Sequence, residues 1–173
     1  MPRLPMRPGK GRGLSGATSL SAEIEMYQRI LIATDGSDLA DKAVAHGIAL
    51  AKELKVPICV VTVTEAWSAF QLAELSRMGD TNPIARYKEM AAAAAGNILG
   101  KAEQLAKAQG VECETLHVQD QHPAEGIIAA ARDKGCDLIV MASHGRRGLN
   151  RLLLGSQAHE VLTHSKVPAL IVR

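Results

Sequence analysis

From Tyr27 onward, short apolar runs alternate with longer stretches whose apolar positions recur every three or four residues. The first pattern marks a strand buried on both faces, the second a helix with one buried stripe. Residues 29–34, "RILIAT", form the first such strand and stop at Asp35-Gly36. Residues 37–55 follow as a helix, with Ala40, Ala43, Val44, Gly47, Leu50, Ala51 and Leu54 on one stripe and Ser37 or Asp38 as its cap. Residues 56–63 are β-branched and apolar, a second strand. Residues 64–83 are the longest irregular stretch, with room for a short helical turn. An Ala-rich helix is predicted over 84–109 with Gly110 at its end, then a half-exposed strand over 111–118, where apolar and polar residues alternate. Pro123 suits the first turn of a helix over 123–134, and Gly135 lies past its end. Residues 137–142, 156–165 and 167–173 read as strand, helix and strand.

Strands alternating with helices imply right-handed crossovers and a parallel sheet covered on both faces. The predicted fold is a three-layer α/β/α sandwich around five parallel strands, a Rossmann-like architecture. Such sheets bind ligands beyond the carboxyl ends of their strands, where strand order reverses. Three loops then share that end: 34–38, 64–83 and 142–156. The terminal "VPALIVR" is apolar and is expected at a sheet edge, which must be covered or paired. A twofold copy offering the same strand would close it.

Composition narrows the chemistry. Only 2% of residues are aromatic, so few stacking platforms exist for single-stranded nucleic acid. Residues 1–25 carry Arg3, Arg7, Lys10 and Arg12 against Glu23 and Glu25. The remaining chain holds as many acids as bases and has no global field to steer a polyanion. Nucleic acid is therefore not the expected partner. The segment 1–25 is rich in Pro, Gly and Ser, lacks the apolar centre of a secretory signal, and is read as a disordered tail, a cloning remnant or the product of a start codon upstream of Met26. Residues 26–173 form the single expected domain. Cys59, Cys113 and Cys136 are far apart with no CxxC spacing, which reads as buried reduced thiols in a cytoplasmic protein. No apolar run of about 18 residues exists to span a membrane.

The stretch "ASHGRRGLNRLLLGS" (142–156) concentrates the candidate chemistry. It joins a buried strand to a helix start, where unpaired N–H groups and a partial positive charge attract anions. Gly145 and Gly155 leave room for a ligand against the backbone, and Ser156 adds a hydroxyl. His144, Arg146, Arg147 and Arg151 make the loop cationic. The pattern reads as a phosphate cradle, although it lacks the GxxxxGK[ST] of a P-loop. The competing reading is ordinary strand-to-helix punctuation with solvated arginines.

The pieces "RILIATDGS", "VVTV", "DLIVMASHGRRGLNRLLLGS" and "KVPALIVR" resemble those of universal stress proteins, over about residues 27–173. The resemblance implies the adenine-nucleotide-hydrolase-like version of the fold. Nucleotide-binding members carry Gly-x2-Gly-x9-Gly-Ser/Thr. Gly145, Gly155 and Ser156 match it, while Ala142 stands where the first glycine belongs. The resemblance implies that Ala33, Thr34 and Asp35 line the nucleotide's mouth and that Val63 meets adenine. It places Met141 and Ala142 beside ribose and base, and Gly145, Gly155, Ser156 and Gln157 around the phosphates. His144 and Arg146 are further candidates for phosphate contact. Asp35 would accept from a ribose hydroxyl or meet phosphates through Mg²⁺; its alternative is a turn in "TDGSD". Trp67 and Phe70 either fold over the base or close the end of the core. No nucleophile–base arrangement and no metal-ligand spacing stands out among the serines and histidines.

The implied function is an ATP-binding stress-response sensor or switch, a homodimer with at most slow hydrolysis or autophosphorylation. The alternative is an adaptor dimer with a vestigial pocket.

Overall fold

A computed structural model describes residues 26–79, 81–145 and 154–173. The expected disorder of 1–25 and the candidate Arg146 lie outside these residues. Ten elements follow in order: β1 (Ile30–Ala33), α1 (Asp38–Leu54), β2 (Ile58–Val63), α2 (Ala69–Arg77), α3 (Pro83–Ala108), β3 (Cys113–Val118), α4 (Pro123–Asp133), β4 (Leu138–Ala142), α5 (Ser156–His164) and β5 (Ala169–Val172).

The five strands form one parallel sheet in the order β3-β2-β1-β4-β5. Strand order reverses between β1 and β4, which places the ligand crevice of this architecture beyond Ala33 and Ala142. Side-chain alternation divides the core into two layers. Ile30, Ile32, Ile58, Val60, Leu138 and Val140 face α1 and α3, whereas Leu31, Ala33, Cys59, Val61, Ile139 and Met141 face α4 and α5. Ile30, Leu31, Ile32 and Ile139 are fully buried, and each contributes about 1.5–3 kcal/mol by leaving water. β3 is half-buried along its whole length, in keeping with its alternating sequence.

Helix α1 approaches the sheet closely because Gly47 packs against it; a Cβ there would lie 2.5 Å from Ile32 Cδ1. Ser37 caps this helix, its Oγ accepting from the Ala40 N–H. The amino-terminal end of the sheet is tied by charge. Asp137 accepts from the amides of Gln28 and Arg29, and Glu114 bridges Arg29 and Lys134.

One segment departs from the sequence reading. Residues 64–83 hold a nine-residue helix, α2, where a short turn at most was predicted. Its start is a reciprocal cap: Ser68 Oγ accepts from the Gln71 N–H while the Gln71 side chain accepts from the Ser68 N–H. None of its residues is buried, and α3, against which it packs, buries nothing before Ala95. Trp67 and Phe70 therefore do not close the core; they are 39% and 74% exposed.

Candidate functional site

The carboxyl ends of β1 and β4 lie side by side, with Ala33 opposite Met141. Beyond Ala33, the Thr34 N–H still donates to Val61, extending pairing with β2 by one residue. The chain then turns at Asp35, whose Oδ1 accepts from both the N–H and the hydroxyl of Ser37, at 3.0 and 2.7 Å. The turn role is thus real, and it fixes the carboxylate. Oδ2 points across to β4's loop: a Cβ on Gly145 would sit 2.8 Å from it. Glycine at 145 is what lets these two loops touch.

The β4 side is equally close. Ser143 is 2% exposed; its N–H donates to Val172 and its carbonyl accepts from the Gly155 N–H at 2.8 Å. A Cβ on Gly155 would meet that same carbonyl oxygen at 2.8 Å and His144 Cα at 3.3 Å. Gly155 thus docks the start of α5 directly onto the end of β4. No side chain caps α5. The N–H groups of its first turn, at Ser156, Gln157 and Ala158, form an anion-attracting end equivalent to about half a positive charge.

His144 stands between these features. Its Nδ1 lies 3.0 Å from Ser143 Oγ, and its Nε2 is buried without a hydrogen-bond partner among the described residues. A buried polar nitrogen left unpaired costs on the order of 1–3 kcal/mol, a cost a hydrogen-bonding partner at this point would remove.

The alternation of β1 and β4 sorts the remaining candidates. Ala33, Val63 and Met141 face the α4/α5 layer, on the same side as α5's first turn. Thr34 and Ala142 point to the α1/α3 layer. The methyl that replaces the family glycine at Ala142 therefore packs into the core rather than toward α5. The Gln157 side chain is also engaged elsewhere, its Oε1 accepting from Ala124 at the start of α4 at 2.9 Å. Together with His122 beside Glu160, at 3.4 Å, this holds the starts of α4 and α5 together. Ser156 is exposed at the first position of α5.

Two contributors escaped the sequence reading. Ser143 is the junction that receives Gly155 and holds His144; continuing the period of two past Met141 puts it on the α5 side, the one available signal. The Gln157–Ala124 bond spans 33 positions and leaves no local trace.

Among the described residues, no helix is long and apolar enough to cross a membrane.

The comparisons with known proteins agree with this geometry. The universal stress protein family matches over residues 26–173. Universal stress protein MJ0531 of Methanocaldococcus jannaschii is 34% identical over 86% of this chain and 83% of its own length. Universal stress protein YxiE of Bacillus subtilis is 32% identical, over 86% of this chain and its whole length. Among solved structures, a universal stress protein in complex with cAMP superposes with a TM-score of 0.62, at 25% identity, covering 85% of this chain and 97% of that one. Parallel sheet, strand-end glycines and matched length converge: this chain belongs to the universal stress protein family.

Proposed function

We propose that this protein binds ATP, with Mg²⁺, across the carboxyl ends of β1 and β4, and works as a stress-response sensor or switch. The observation that carries the reading is the docking of α5's uncapped first turn onto β4 through Gly155, facing Gly145 and Asp35. Phosphates fit the main-chain N–H groups of Ser156 and Gln157, and the unpartnered His144 Nε2 supplies a further polar contact. Ala33, Val63 and Met141 offer an apolar wall for the base. Asp35, fixed by Ser37, would accept from a ribose hydroxyl or hold a magnesium ion, which would offset phosphate charge. The cAMP complex of a structural neighbour supports an adenine nucleotide as the ligand class. Arrangement favours state change over turnover: among the described residues the site holds donors for phosphate but no base aligned on a nucleophile by a third group. Any hydrolysis or autophosphorylation is slow on this reading. Residues 26–173 act as one domain, located in the cytoplasm.

β5 sits at the sheet edge, paired on one side with β4, and Leu170 is 41% exposed. A twofold copy pairing through β5 covers that edge and makes a homodimer.

The competing reading, an adaptor dimer with a vestigial pocket, rests on Ala142 replacing glycine. Thermal denaturation in increasing ATP and Mg²⁺ separates the two. A ligand at 100 times its Kd stabilises by about 2.7 kcal/mol, or about 5–10 °C for a domain this size. An unchanged midpoint at millimolar ATP leaves the adaptor reading standing.

A further inference from the structure

A second hollow lies on the other side of the sheet from α5. It is a slot of about 270 Å³ between α1 and α3, reaching the carboxyl end of β1. Its floor is Thr34, 6% exposed, and its walls include Val44, Ile98 and Leu105. Asp41 of α1 and Lys101 of α3 are also on its lining, both exposed. Neither side chain makes an ion pair or hydrogen bond, with each other or with another described residue. An acid and a base thus line one slot without pairing with each other. The Thr34 hydroxyl accepts from the Gly36 N–H at 3.1 Å. A hydroxyl also carries one donor, and this one has no acceptor among the described residues.

We propose that this slot binds a small zwitterion with an aliphatic body, of the amino-acid class. Its ammonium meets Asp41, its carboxylate meets Lys101 and the Thr34 hydroxyl, and its apolar body lies against Val44, Ile98 and Leu105. The volume lies just below the usual range for ligand pockets, about 300–1,000 Å³, which suits a small metabolite and excludes a nucleotide. A molecule carrying one charge meets only one of these two side chains, whereas a zwitterion meets both.

Isothermal titration of the full chain with L-leucine tests this, beside 4-methylpentanoate, which lacks the amine, and isoamylamine, which lacks the carboxylate. Nucleotide is left out, so the result is independent of the ATP reading. Leucine is expected to bind saturably, and each analogue about tenfold or more weakly, the worth of one charged hydrogen bond. Asp41→Asn and Lys101→Gln, both at exposed positions, are each expected to weaken leucine by a similar factor. Equal affinity for the analogues, indifference to both substitutions, or no saturable leucine binding overturns the proposal.

Discussion

Gly155→Ala isolates the contact on which the site is built. A Cβ at this position lies 2.8 Å from the Ser143 carbonyl oxygen and 3.3 Å from His144 Cα. Both are backbone atoms, so no rotamer change relieves the clash. The Gly155 backbone, with φ −62°, is one any residue adopts, so the effect is steric rather than conformational. Either α5 moves away from β4 or the Gly155–Ser143 hydrogen bond stretches from 2.8 Å. Overpacking costs about 1–3 kcal/mol. For a chain of this size that lowers the midpoint by about 2–12 °C. Gly100→Ala is the matched control. Gly100 lies inside α3, and a Cβ there meets nothing within 4 Å. Alanine should stabilise that helix by about 0.5–1 kcal/mol. Thermal denaturation of the two variants should therefore move in opposite directions. ATP affinity, measured by titration calorimetry, should fall for Gly155→Ala and stay constant for Gly100→Ala. Equal midpoints and equal affinity for the Gly155 variant and the parent would refute the claim that this close approach shapes the site.

Other consequences are open to measurement. The Lys134 ammonium, with Arg29, holds the Glu114 carboxyl below its usual range. A depressed carboxylate stabilises the fold above its unfolded pKa and loses that contribution as pH falls through the folded one. Glu114 is 40% exposed, so Glu114→Gln should cost only about 0.5–1 kcal/mol at pH 7 by chemical denaturation, and the difference should vanish in acid. Burial pushes the Cys59 thiol up to about 12 and Cys113 up to about 11. Ellman's reagent at pH 8 should react slowly with the native protein and rapidly with all three cysteines in guanidinium. Leu170→Lys puts a charge on the exposed edge strand; on the proposed β5 pairing, light scattering should report a dimer for the parent and a monomer for the variant. A dimeric variant would exclude β5 as the interface.

Strands were legible because β1, β2 and β4 are short, mostly apolar runs buried on both faces, only Val63 at the end of β2 being half-buried. Helix α2 was not: it is nine residues long, buries none of them fully, and its apolar spacing is confined to the half-buried Leu72 and Leu75 and their neighbours. The Ser68–Gln71 spacing of a capping box was a further local signal. At the site, Gly145, Gly155 and Asp35 could be picked out because strand-end glycines and acids have a local meaning. The facing of Thr34 and Ala142 toward α1 and α3 was also readable: each continues its strand's period of two past Ile32 and Val140. The family resemblance grouped them with the nucleotide by position in sequence, which does not specify a face. The engagement of Gln157 with Ala124 and the docking of Gly155 on Ser143 depend on how α4, α5 and β4 pack. Packing of that kind leaves no periodic mark.

Amide chemical shifts of the ¹⁵N-labelled protein, recorded while ATP and Mg²⁺ are added, test the central claim most directly. The largest changes should fall on Ser156, Gln157, Gly145 and His144, where helix start and strand end converge, and saturate together. Changes centred on the α1/α3 slot or scattered over the surface would contradict it, as would a spectrum left unaltered at millimolar ATP.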